Sequence, residues 1–165
     1  MHPISVACFG PSVWIRVTGR GNFQCSARLK ELVQTMVGKG YREYVLDLMK
    51  CEQMDSTFMG TITGIVQRLR QGQQGTMRLI NVSNSNQELM ENLGLDQLFS
   101  IRPLSLGNEL PPDADENCFH EASTMASSEN EKAIIQEVVI SAHEALVKAD
   151  HKNAEKFKDV FEAMP

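Results

Sequence analysis

The chain has 165 residues, 42% of them hydrophobic and 22% charged, with a net charge of −5 at pH 7. This is a globular composition, long enough for one ordinary domain and an appendage. Residues 1–104 carry 11 Lys or Arg against 8 Asp or Glu, whereas 105–165 carry 5 against 13. The imbalance argues against nucleic-acid binding by the C-terminal part.

Cys8, Cys25, Cys51 and Cys118 are scattered without a CxxC pair, so a disulfide framework is not expected and a reducing compartment is the simplest reading. The opening "MHPISVACFG" lacks the basic region and long apolar core of a signal peptide. No apolar run approaches the roughly 18 residues that a membrane span needs. The expectation is a cytoplasmic protein without a membrane span.

"PISVACF" and "SVWIRVTG", joined at Gly10-Pro11, predict a pair of strands. In the second, Val13, Ile15 and Val17 alternate with Trp14 and Arg16. "QCSARLKELVQTMVGKG" then places Leu29, Leu32, Val33, Met36 and Val37 at helical spacing, with Gly38 and Gly40 as stops. "YVLDLM", residues 44–49, is an apolar run with one carboxylate, as in a strand covered on both faces.

After "DST" a second helix is written by Phe58, Ile62, Ile65, Val66 and Leu69. Gly60 and Gly64 share one of its faces and predict close approach to the sheet. "QGQQG" ends it, "TMRLINV" is the next strand, and "SNSNQELMENLG" is a short helix capped by Ser83 or Asn84 and stopped at Gly94. "LDQLFSI" offers a last short strand. The alternation of strand and helix after an opening hairpin predicts an α/β fold with parallel crossovers.

The character changes after Pro103. "GNELPPDADEN" reads as an acidic, Pro-containing linker. Ser128 and Glu131 have capping-box spacing, and Ile135, Val139, Ala142, Leu146 and Ala149 follow as an apolar stripe. Ala154, Phe157, Phe161 and Met164 suggest a second short amphipathic helix. These helices either pack on the domain and each other, or serve self-association or partner binding.

Catalytic motifs are not apparent. "GKGYRE" lacks the spacing of G-x-x-x-x-G-K-S/T, and no G-x-G-x-x-G occurs. His2, His120, His143 and His151 form no ligand set of known metal spacing, even with Cys118 beside His120. "MDSTFMG" is not a G-x-S-x-G elbow. Neither a cofactor nor an enzyme activity is expected.

The "DST" junction remains. Asp55 or Ser56 can cap a helix beginning near Thr57, which stabilises by about 0.5–2 kcal/mol. A loop between a strand's carboxyl end and a helix's amino end is also where open α/β sheets place function. Two adjacent hydroxyls, Ser56 and Thr57, are expected to be exposed there.

Asp47, Asp55-Ser56, Gly60, Asn81-Val82-Ser83, Gly94-Leu95 and Phe99 together carry a resemblance. In order and spacing the chain from 4 to 102 resembles the STAS domain family, shared by sulfate transporters and anti-sigma factor antagonists. The resemblance implies a sheet of about four to five strands, built from the N-terminal hairpin and parallel crossovers, with helices packed against it. It divides the chain into a STAS-like domain (1–104), a linker (105–127) and a helical C-terminal extension (128–165).

It also implies a bacterial regulatory module that binds proteins and takes part in transcription regulation. Ser56, or alternatively Thr57, would be the phosphoacceptor. The partners implied are a serine kinase that is also the anti-sigma factor and a metal-dependent phosphatase. The partner-binding residues would be Asn22, Asp55, Ser56, Thr57, Met59, Gly60 and Ser83. One departure stands out: Asn22, in "GRGN", occupies a place where the family often carries Asp, in a loop that contacts the kinase, and Arg20 adds charge nearby. The alternative reading is a constitutive scaffold, for a signalling or transport-associated complex, that assembles through residues 128–165.

Overall fold

Strands β1 (Ile4–Phe9) and β2 (Ser12–Val17) pair antiparallel around Gly10-Pro11. Gly10, at φ +59°, supplies the left-handed conformation that a tight hairpin needs. The computed structural model describes residues 3–111, 118–121 and 131–163, with backbone alone for 131–135. The proposed cap Ser128, Met164 and most of the acidic stretch lie outside the described residues.

β2 continues into a parallel array with β4 (Glu43–Asp47), β6 (Thr76–Val82) and β7 (Ser100–Pro103). A two-residue strand, β8 (His120–Glu121), runs antiparallel to β1. The six-stranded order is β7-β6-β4-β2-β1-β8. β3 (Gly19–Gly21) and β5 (Cys51–Met54) form a separate parallel pair. The α/β class follows the sequence reading, but the sheet has more strands than the four to five expected. β3, β5 and β8 are too short to carry an alternating pattern.

Three helices cross over between these strands: α1 (Phe23–Gly38), α2 (Ser56–Gln71) and α3 (Asn84–Asn92). They share one core with the sheet. Val13, Ile15 and Val17 of β2 meet Leu29 and Val33 of α1, Phe58, Ile62 and Ile65 of α2, and Met90 of α3. The opposite sheet face holds Trp14, Val45 and Ile80, against which Phe9 and Phe119 pack. Tyr44, Val45, Leu46 and Asp47 are accordingly all buried, as expected of a strand covered on both faces.

Asp47 is held on that second face by a polar network. Its carboxylate accepts from Arg16 Nε at 3.2 Å, Asn81 Nδ2 at 2.9 Å and the Met49 amide at 3.0 Å. Asn81, at φ +56°, also bonds the Glu109 backbone in both directions. The partners on both carboxylate oxygens offset part of the cost of burying this charge.

The C-terminal part folds as α4 (Glu131–Ala149), α5 (Asn153–Lys156) and α6 (Lys158–Ala163). α4 lies along α2, and its Leu146 enters the main core. Phe157 breaks what the sequence suggested as a single second helix. Gly60 and Gly64 also require a correction: they face α4, not the sheet. A Cβ at Gly60 would collide with the Ala142 backbone, and one at Gly64 would touch the Ala145 Cβ at 3.6 Å.

Candidate functional site

The β3·β5 pair brings two helix N-termini to one corner. Asn22 follows β3 and caps α1, its Oδ1 accepting from the Gln24 amide at 3.0 Å and the Cys25 amide at 3.3 Å. Asp55 follows β5 and caps α2, its Oδ1 accepting from the Phe58 amide at 2.7 Å. The two caps are tied by the Asp55 N–H, which donates to Gly21 O at 2.9 Å. Of the two candidate caps for α2, Asp55 fills the role, which leaves Ser56 as the first helical residue. Partial desolvation at this corner pushes the Asp55 carboxyl pKa upward, against the lowering pull of the Phe58 amide.

Ser56 Oγ lies 2.9 Å from His143 Nε2 on α4. His143 Nδ1 lies 2.7 Å from Val139 O. A carbonyl can only accept, so a ring proton sits on Nδ1. In the tautomer with that proton alone, Nε2 offers its lone pair and the Ser56 hydroxyl donates to it. His143 is 2% exposed, with the Phe157 ring edge-on at 4.7 Å and Phe161 at 6.4 Å.

The hydroxyls expected at an exposed lip are therefore covered. Thr57 is buried and Ser56 is half-buried beneath His143. Of the other expected partner contacts, Met59 is fully enclosed in the core and Gly60 lies under Ala142. Ser83 caps α3, accepting from the Asn86 amide at 3.3 Å, and Asn86 Nδ2 in turn donates to Cys51 O at 3.2 Å on β5. Asn22, Asp55 and Ser56 are thus brought together. Thr57, Met59 and Gly60 point into packing, and Ser83 is linked to the corner through β5.

Sequence reasoning weighed His143 only as a metal ligand. Its signal was a histidine beside Ala142, Ala145 and Leu146 on the buried side of a helix. A second residue that was missed, Asn153, is fully buried and donates to Leu93 O at 2.9 Å and Leu146 O at 2.8 Å. Among the described residues no cluster of three His, Cys, Asp or Glu could hold a metal ion, and no helix is long and apolar enough to cross a membrane.

Comparison with known proteins matches the STAS domain profile to residues 5–106. No curated protein sequence matches the chain. Among solved structures, a proposed anti-sigma factor antagonist from Thermotoga maritima is similar at 20% identity and TM-score 0.55, over 60% of this chain and 85% of its own. The Bacillus anti-sigma factor antagonist SpoIIAA is similar in its unphosphorylated form, at 17% identity and TM-score 0.53, over 62% of this chain and 90% of its own. Its phosphorylated form, described as a cell fate determinant, gives 17% identity and TM-score 0.50, over 62% and 94%. With the profile spanning most of its length, the chain belongs to the STAS domain family.

Proposed function

We propose that this chain is a non-catalytic regulatory module that binds a partner protein at the α1–α2 corner and is switched by phosphorylation of Ser56. The observation that carries the reading is the position of Ser56: first residue of α2, directly after the Asp55 cap, on a STAS fold. SpoIIAA, whose fold is similar, has been solved both with and without its phosphate.

Transfer of the γ-phosphoryl group of ATP to Ser56 Oγ releases ADP and the hydroxyl proton. The product carries about −1.5 to −2 charges. The α2 N-terminus tolerates that charge within the chain. Beside Asp55, however, it repels a partner surface that lacks arginines. Phosphate then changes what binds and leaves the sheet and its crossover helices folded. Ser56 is favoured over Thr57 because Thr57 is buried.

The kinase and phosphatase belong to the same proposal, as does a cytoplasmic setting. The scaffold alternative is less well supported: Ala142, Ala145 and Leu146, which assembly through α4 would use, are buried inside the chain. The test is capture of partners from the source cell on the tagged full chain, comparing Ser56→Ala with Ser56→Asp and mapping phosphopeptides. The expected result is a phosphate on Ser56 and a different partner set for the two variants. Identical capture by both, with Ser56 unmodified, would show the reading to be wrong.

A further inference from the structure

α4 lies outside the matched domain, yet it covers the corner where that domain would be modified and bound. Its seat is made for a helix. Gly60 admits the Ala142 backbone, and Gly64 admits the Ala145 side chain. Gln67 Nε2 reaches Ala145 O at 3.3 Å, and His143 takes the Ser56 hydroxyl. The far end is pinned separately, by Asn153 on Leu93 O and Leu146 O and by Lys156 on Asn92 O.

Leu146 enters the main core, and near Ser56 the contact is made by His143 and the small, buried Ala142 and Ala145. Small residues meet small residues there, and the specific bonds are polar. Such a contact is held by fit more than by apolar area, which suits a helix that leaves and returns.

We infer that α4 is an intramolecular occupant of the docking surface, closing over Ser56 in place of a partner. The inference rests on the reading of Ser56 as the docking and modification point. While α4 is seated, His143 fills the space next to Ser56 Oγ that a phosphoryl group or a kinase needs. A phosphoryl group on Ser56 removes the O–H donor, and with Nε2 at 2.9 Å the seated His143 leaves it no room on that side. Seating of α4 and modification of Ser56 therefore oppose one another, and by linkage each weakens the other equally. A partner that binds the α2 face must compete with α4, so truncation or displacement of α4 raises its affinity.

The test uses the full chain in a Cys8→Ser/Cys118→Ser background. Ser56→Cys places a thiol at the docking point, and its maleimide labelling is timed with and without Ala145→Arg. Ala145 is buried against Gly64, so an arginine there unseats α4. Labelling should accelerate by roughly tenfold or more; equal rates overturn the inference. Hydrogen–deuterium exchange of the same proteins should show α4 losing protection while β2, β4 and β6 keep theirs.

If Ala145→Arg prevents folding, Gly64→Cys/Ala145→Cys replaces it. An ideal Cβ at Gly64 lies 3.6 Å from the Ala145 Cβ, within disulfide range. Oxidation should lock α4 and slow its amide exchange relative to the reduced protein, and identical exchange in both states overturns the inference as well. Neither readout involves phosphate. Failure to unmask position 56 therefore removes the closing helix alone, and indifference of partner capture to Ser56→Asp removes the phosphoryl switch alone.

Discussion

Gly60 has no side chain where the backbone of Ala142 passes: a Cβ there would overlap the carbonyl of a residue on another helix. The contact fixes how closely α4 can approach α2, and a single methyl group tests it. Gly60→Ala is expected to destabilise the chain by about 1–3 kcal/mol, despite the better helix propensity of alanine. Gly38→Ala is the control, since a Cβ there meets nothing within 4 Å, and it should be neutral or stabilise by up to about 1 kcal/mol. Chemical denaturation of both variants measures the difference.

Ser56 and His143 should be energetically coupled. A double-mutant cycle of Ser56→Ala and His143→Ala is expected to give an interaction of about 0.5–1.5 kcal/mol. His143→Ala alone should cost more, about 1–3 kcal/mol, because it also removes the ring packed against Phe157. A coupling of zero would mean that the hydrogen bond does not form in solution.

Asp55 gives a pH dependence whose sign follows from its environment. Burial raises its folded-state pKa above the ordinary 3.8. Across the window from 3.8 up to that raised value, the native state binds more protons than the unfolded one. Asp55 therefore makes stability fall as pH rises through that window. Asp55→Asn keeps an equally good cap without the partly desolvated charge. It should equal or exceed the wild type in stability at pH 7, with the advantage shrinking on acidification. Thermal melts of both proteins at pH 7 and at about pH 4 compare the two.

The thiols should separate into two classes. Cys8 is exposed and Cys118 half-exposed, whereas Cys25 and Cys51 are buried. Burial raises the Cys25 pKa and pushes Cys51 to about 11, so neither carries appreciable thiolate at neutral pH. Iodoacetamide at pH 8 should modify Cys8 first and leave Cys25 and Cys51 until denaturant is added. Peptide mapping reads the order.

Much of the architecture was legible because it is written locally. Val13, Ile15 and Val17 alternate with Trp14, and each set occupies the expected face. Asp55 precedes an apolar helix and caps it. What was not legible depends on neighbours distant in sequence. The glycine pair on α2 showed that something approaches closely, but periodicity cannot say whether a sheet or a helix does. Ser56 and His143 are 87 positions apart, and nothing near either residue names the other.

Other hydroxyls of α2 are enclosed as well. Thr61 and Thr63 are both buried, their Oγ1 atoms donating to Thr57 O at 2.9 Å and Met59 O at 2.8 Å. A threonine that satisfies itself on the preceding turn can face protein on every side. α2 is accordingly enclosed far more completely than its composition suggests.

The short strand β8 has a consequence for how the molecule meets others. Outer strands of open sheets present unpaired amides and carbonyls that can recruit foreign chains into ladders or aggregates. Here β8 covers Ser5 and Val6 at one border, and at the other β7 ends in Pro103, which has no amide to offer. Backbone augmentation is discouraged on both sides. Recognition is left to side chains, on surfaces that can be covered and uncovered, and association by that route stays reversible.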